Sequence, residues 1–351
     1  MSLELLAPTF TVIVALYNCE RYIVECLDSL RAQTFGDFEA IVVDDCSTDD
    51  GPAVAKCAVA GDERFRFLST PINSGQGAAR NLALENATGR IVVLLDADDM
   101  LLPHALEHIA KRFETQTLDD LYFNAESFYE DAEAYSRVVE NFSQRDSFDD
   151  VATGRELFAF FENRGQFFPH GALRAVSRQL IECNAIRFPE GIIHEDLLFT
   201  FQTLVHAERS SFLNEPLYRR RIRTGSTMAS KHRTMRNIEG HLVSIRWMRA
   251  WLDDNAAELE SPFISAMAHR LNDYLDVCAR DYLFEVGDDD KRSFSANLTR
   301  QEEVAFQMDV AQRAESLRVF YDSTTWKVGH AIIAGPFAVQ EKLKSILRKR
   351  S

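Results

Sequence analysis

Three apolar, β-branched runs, Phe10 to Leu16, Phe38 to Val43 and Ile91 to Leu95, alternate with segments of helical periodicity over the first hundred residues. Such runs read as strands buried on both faces, the kind found in parallel sheets. After the first run, Ile23, Cys26, Leu27 and Leu30 recur at i, i+3, i+4 and i+7 within Arg21 to Gln33, the stripe of a helix packed on one side. Phe65 to Leu68 predicts a further short strand, and Gly75 to Asn86 a helix ended by Gly89. Pro103 fits the first position of a helix that carries Leu106, Ile109, Ala110 and Phe113. A β-α-β-α order confines the chain to an α/β fold, with a doubly wound, mostly parallel sheet flanked by helices. Ligands of such sheets sit at the carboxyl ends of the strands. There the sequence places Asp44-Asp45 and Asp96-Ala97-Asp98-Asp99.

Side chains alternate along an extended backbone, so Asp96 and Asp98 point one way and Ala97 the other. Two hard oxygen donors in that arrangement suit Mn²⁺ or Mg²⁺, which takes one or two protein carboxylates and leaves other positions to phosphates. An acidic surface loop after a strand is the alternative reading of the same residues.

The formal net charge of -15 excludes nucleic acid as the main partner, because phosphate neutralisation needs a basic face. The 6 cysteines are scattered with no Cys-x-x-Cys pair, the usage of reduced thiols rather than of a zinc or redox site. No basic n-region opens the chain, and no apolar run approaches the roughly 20 residues of a spanning helix. The expected location is cytoplasmic, or peripheral on the inner face of the cell membrane.

Farther along, Leu121 to Phe128 predicts a strand, and Arg155 to Glu162 and Glu195 to His206 predict helices. Phe212-Leu213 and Leu217-Tyr218, around Glu215-Pro216, fit a short hairpin. After about residue 231 the pattern turns helical.

Taken together, Val14-Ala15-Leu16-Tyr17-Asn18, Val43-Asp44-Asp45-Cys46-Ser47-Thr48-Asp49, Asn73 to Asn81 and Leu95-Asp96-Ala97-Asp98-Asp99 resemble the family 2 glycosyltransferases of the GT-A fold, in order and in spacing. The resemblance implies a Rossmann-like GT-A domain with a nucleotide-sugar half (residues 1–105) and an acceptor half (106–228). A helical extension (229–320) and a basic tail (321–351) would follow. It implies an inverting, metal-dependent transfer of a sugar from a nucleotide-diphosphate sugar, with UDP favoured, to a hydroxyl of a glycan or lipid-linked acceptor, as in bacterial polysaccharide assembly. Carried over residue by residue, Ala15, Tyr17 and Asp45 would read the base, Asp96 the ribose, and Asp98 would hold the metal with Asp99 in support. His194-Glu195-Asp196 resembles the pair that opens a helix beneath the acceptor, with Asp196 the general base and Glu195 its support. Tyr218 to Met228 resembles the segment that closes over the diphosphate, where Arg221, Arg223 and Ser226 are the candidates. The family's usual His in that segment is missing here, with His232 just beyond it.

Each of these residues has a plainer reading. Tyr17 fits a core aromatic equally well. Asp45 fits a helix cap, and Arg80 fits either the diphosphate or an ion pair with an aspartate. Acidic residues in a first helical turn, as at Glu195 and Asp196, are common caps; there the helix N-terminus favours an ionised carboxylate, so Asp196 is expected to be charged at neutral pH. A solvated basic strand is the alternative for 218–228. A sugar-phosphate nucleotidyltransferase would share the sheet but should carry a Gly-rich basic loop after the first strand, where this chain has Leu16-Tyr17-Asn18-Cys19-Glu20. A non-catalytic scaffold of the same fold is the other rival.

The carboxyl terminus differs from the acidic whole. Lys327, Lys342, Lys344, Arg348, Lys349 and Arg350 accompany Val339, Leu343, Ile346 and Leu347 on one helical face. A basic amphipathic helix of this kind predicts contact with an anionic membrane surface; a helix packed on the preceding bundle is the alternative. The helical extension also offers a surface for a homo-oligomer.

Overall fold

The computed structural model describes residues 7–130, 145–223, 234–297 and 299–322. The basic tail, Ser226 and His232 lie outside the described residues. Strand β1 (Phe10–Leu16), buried at every position, is the centre of an eight-stranded mixed sheet. It pairs in parallel with β2 (Phe38–Asp44) on one side and β4 (Ile91–Asp96) on the other, and β3 (Phe65–Ser69) extends the parallel half beyond β2. The register sets Ala15 opposite both Val43 and Asp96, and Leu16 opposite Asp44, so the aspartate-bearing strand ends are level with one another. The parallel order read from the alternating pattern therefore covers four strands. Beyond β4 the pairing reverses: β7 (Arg174–Ser177) is antiparallel to β4, and β6 (Asp120–Tyr129) to β7. The order ends with β8 (Ser210–Ile222) and β5 (Met100–Leu101), which are antiparallel to each other.

Helices α1 (Ile23–Arg31), α2 (Gly51–Ala58), α3 (Gln76–Asn86) and α4 (Ala105–Gln116) cover the parallel half. As the spacing predicts, Ile23, Cys26, Leu27 and Leu30 are fully buried. Helix α4 starts two residues later than Pro103 suggests, because its first turn is capped from outside: Leu106 N–H donates to Gln33 Oε1 (3.1 Å), and the Pro103 carbonyl accepts from Thr34 N–H (2.9 Å). Nor is there a hairpin at 212–218. Strand β8 runs straight through Glu215-Pro216, where Asn214 and Pro216 are exposed, so a residue without an N–H is accommodated.

Helix α3 ends at Asn86 with Ala87 as its cap, and Gly89 serves a different purpose from the expected helix stop. A Cβ there would lie 2.3 Å from the Phe10 carbonyl carbon and 2.4 Å from Thr11 N. Its own N–H donates to Thr11 Oγ1 (2.9 Å). The backbone of 89 is thus pressed against the start of β1. Gly89→Ala is expected to cost about 2 kcal/mol or more in a urea titration, since backbone, not a flexible side chain, would have to move.

The remaining helices are α5 (Gly154–Glu162), α6 (Arg178–Cys183), α7 (Glu195–His206), α8 (Met235–Asn255), α9 (Ser261–Phe284), α10 (Asp288–Asn297) and α11 (Arg300–Asp322). Contacts divide the chain into two compact units, one from residues 1–127, 142–220 and 243–270, the other from 128–141, 221–242 and 271–351. In the first, beside the sheet core, Phe158 meets Phe167 (4.8 Å) and Phe201 (5.5 Å) in an aromatic cluster. The second has its own small core, where Phe306 meets Tyr282 (5.1 Å) and Phe294 (5.4 Å) edge to face. The six cysteines are all free. Among the described residues no helix is long and apolar enough to cross a membrane.

Candidate active site

The carboxyl ends of β1, β2 and β4 form one ledge. Ala15 is buried there, whereas Tyr17, just past the strand, is 43% exposed, which removes the core-aromatic reading. Asn18 takes a left-handed conformation (φ 49°) and its Oδ1 accepts from Thr48 N–H (2.8 Å), tying the turn after β1 to the turn after β2. Asp45 is 3% exposed. Its Oδ1 accepts from Thr70 Oγ1 (2.7 Å) and Ser74 N–H (2.9 Å), and its Oδ2 from Gly75 N–H (2.7 Å). Gly75, at φ 87°, is the residue preceding α3. Asp45 therefore caps no helix of its own; it holds the loop that launches α3.

That helix delivers Arg80 to the ledge. Of the two readings open for Arg80, the structure shows the ion pair. Its Nη2 donates to Asp96 Oδ1 (2.8 Å) and its Nη1 to Glu195 Oε1 (2.6 Å), with the guanidinium 5.4 Å from the Phe188 ring centre. Burial works against the charge, but Asp96 and Glu195 overcome it and hold Arg80 above its ordinary pKa. The guanidinium fork thereby links the end of β4 to the first turn of α7, whose Glu195 lies 115 residues beyond Arg80 in sequence.

Asp99 folds back under the strand end. Its N–H donates to the Asp96 carbonyl (3.0 Å), and its Oδ2 accepts from Tyr218 Oη (2.8 Å), which in turn accepts from Asp96 N–H (3.2 Å). So Asp99 and Tyr218 fix the backbone on which Asp96 and Asp98 sit, and the Cys26 thiol donates to the Asp96 carbonyl from below (3.6 Å). Asp98 lies at the turn and is half-buried, as is Asp96. One or two carboxylates at a solvent-reached, rigidly backed turn fit the hard-oxygen donor set that Mn²⁺ or Mg²⁺ takes.

Across the ledge, His194 adopts a left-handed conformation (φ 67°) and starts α7, so Glu195 and Asp196 fall in the first turn. Glu195 is buried against Arg80, and Asp196 Oδ2 accepts a long contact from Gly171 N–H (3.5 Å). Burial, then the charge of Glu195, pushes the Asp196 carboxyl up to about 7, against the opposing pull of Arg80 and the Gly171 N–H. The expectation of a fully ionised carboxylate at neutral pH is thereby corrected: desolvation and a like charge outweigh the helix terminus.

Two neighbours escaped sequence reading. Tyr218 lay in a segment read for its arginines, and only the β5–β8 pairing, which sets Leu101 opposite Tyr218, brings it under Asp96. His170 sits in a segment with no periodic signal. Its Nδ1 accepts from Ala172 N–H (3.3 Å), and burial pulls its pKa down to about 4, so it is a neutral imidazole beside the carboxylates. Arg221 and Arg223 belong to the second unit, where the Arg221 guanidinium stacks 4.7 Å from the Phe128 ring centre.

Comparison with known proteins agrees with this architecture. The "Glycosyl transferase family 2" model matches residues 11–184. The protein named "Putative glycosyltransferase EpsH" of Bacillus subtilis is 30% identical over 251 residues, covering 71% of this chain and 70% of that protein. The teichoic acid poly(glycerol phosphate) polymerase of Staphylococcus epidermidis is 31% identical over 214 residues, 59% of this chain but only 28% of that larger protein. Among solved structures, S. aureus TarS 1-349 in complex with UDP-GlcNAc superposes with a TM-score of 0.60 at 26% identity, covering 86% of this chain and 79% of that one. A GT-A ledge with these carboxylates, in a chain with these relatives, belongs to glycosyl transferase family 2.

Proposed function

We propose that this chain transfers a sugar from a nucleotide-diphosphate sugar to an acceptor hydroxyl, with inversion, and that Asp196 is the general base. The observation that carries the reading is the pairing of a carboxyl poised at about 7 with the Asp96–Asp98 turn, joined through Arg80. A base is most useful when its pKa lies near the working pH. In this reading Ala15, Tyr17 and Asp45 flank the nucleobase, Asp96 meets the ribose, and Asp98 holds Mn²⁺ or Mg²⁺ with Asp99 in support. In this reading the Asp45 carboxylate would accept the imino proton of uracil. The bound cation would neutralise charge on the departing diphosphate. Arg221, Arg223 and Ser226 are proposed to assist at the diphosphate. Glu195 acts through Arg80, fixing the donor end and the base end in one geometry.

UDP is favoured as the nucleotide, supported by the UDP-GlcNAc held by TarS. A glycan or lipid-linked acceptor in cell-surface polymer synthesis is supported by the polymerase relative. The test is a thermal-shift screen of nucleotide sugars with Mn²⁺, followed by mass spectrometry of transfer or donor hydrolysis. Stabilisation by UDP-sugars that requires the cation is the expected result. A protein that ignores UDP, GDP and their sugars at millimolar concentration would refute the assignment.

A further inference from the structure

Three arginines of the described residues are buried, and two of them have carboxylate partners. Arg80 pairs with Asp96 and Glu195, and Arg174 pairs with Asp120 while donating to the Thr200 carbonyl. Arg145 is the exception. It is 6% exposed, no carboxylate among the described residues pairs with it, and its Nε and Nη2 meet no acceptor. Its surroundings are aromatic: the Phe168, Phe212 and Phe161 ring centres lie 5.2, 5.5 and 5.9 Å from the guanidinium carbon. The phenol of Tyr122, whose ring lies 4.6 Å from the Arg174 guanidinium carbon, is also buried with its Oη unpartnered.

Buried donors left without acceptors are rare and costly, and a buried charge without a counter-charge more so. Nε and Nη2 form one edge of the guanidinium, the edge that grips two oxygens of a carboxylate or phosphate side by side. Two donors of Arg145 thus lack a partner, and the aromatic rings around them would strengthen any ion pair formed there. The chain ties this arginine to the proposed base. Phe168, against Arg145, is three residues from Gly171, whose N–H reaches Asp196, a chain length of at most about 11 Å.

We propose that Arg145 binds an oxyanion carried by the acceptor, a phosphodiester or a carboxylate a sugar unit or two from the hydroxyl that Asp196 activates. The proposal rests on the glycosyltransferase reading for the identity of the ligand, and on Arg145 alone for its charge.

Calorimetry on the full chain, saturated with UDP and Mn²⁺ so that the diphosphate position is filled, tests it. The probes are glycerol phosphate against glycerol and glucuronate against glucose, so the two arms separate a phosphate from a carboxylate source. The wild type should bind one anion and neither neutral probe. Arg145→Met, which keeps apolar volume, should weaken that binding at least about tenfold, and Arg145→Lys should restore part of it. UDP affinity should be unchanged in both variants. Equal anion binding by wild type and Arg145→Met, or no binding of either anion, would overturn the proposal. Absence of UDP binding by the wild type would overturn the donor reading instead, and the anion titration would then be read without UDP.

Discussion

Asp98→Ala is expected to abolish sugar transfer and to erase the effect of Mn²⁺ on UDP binding. Asp96 already gives one carboxylate oxygen to Arg80, and Asp99 gives one to Tyr218. Asp98, half-buried at the same turn, is the one proposed to hold the cation. Its loss removes neither the Arg80–Asp96 nor the Tyr218–Asp99 contact. A cation at a departing diphosphate supplies several kcal/mol of charge stabilisation, so the rate should fall by about 10³-fold or more. Titration of UDP with and without Mn²⁺ checks the binding half, and melting temperature checks the fold. Wild-type UDP affinity that rises with Mn²⁺, and variant affinity that does not, is the expected pair. Transfer by Asp98→Ala within tenfold of the wild type would move the metal to other ligands and dissolve the proposed donor site.

How much of this was legible in the sequence depends on the range of the interaction. The parallel half was, because buried strands and amphipathic helices write their periodicity into short windows; β1, β2 and β4 and the α1 stripe fall where the pattern puts them. The strand-end aspartates were legible for the same reason, being placed by the strands that precede them. What was not legible arises from pairing between distant segments. Tyr218 enters the site only because β8 pairs with β5, and the ion pairing of Arg80 to Glu195 arises only because α7 brings that residue to it. Pro103, Gly89 and Pro216 each misled as local punctuation. In each case a tertiary partner, Gln33 for the first and Phe10 for the second, or an exposed stretch of β8 for the third, decided the backbone instead. The charge state of Asp196 belongs to the same class. A helix N-terminus is local and favours ionisation, but burial and Glu195 are products of the assembled ledge, and they prevail.

That reversal gives Asp196→Asn a signature beyond lost activity. Turnover should fall by about 10²- to 10⁴-fold, the usual contribution of a positioned base, with donor affinity within a few-fold of the wild type. The wild-type rate should rise about tenfold per pH unit below about 7 and level off above it, because the deprotonated carboxylate is the active form and its pKa is pushed up to about 7. Stability should move in the opposite direction. The folded protein keeps the Asp196 proton up to about pH 7, whereas the unfolded chain releases it near an ordinary aspartate value, so the native state binds more protons in between. Folding stability from this group is therefore greatest at low pH and declines as pH rises through about 7. An amide carries no such penalty. Asp196→Asn should accordingly melt at or above the wild-type temperature at pH 8, with the advantage disappearing near pH 5. A pH-independent rate in the wild type, or a variant that turns over normally at pH 8, would show that the proton from the acceptor goes elsewhere. A variant that loses both turnover and melting temperature at pH 8 would instead assign Asp196 to the scaffold, beside Glu195 and Arg80.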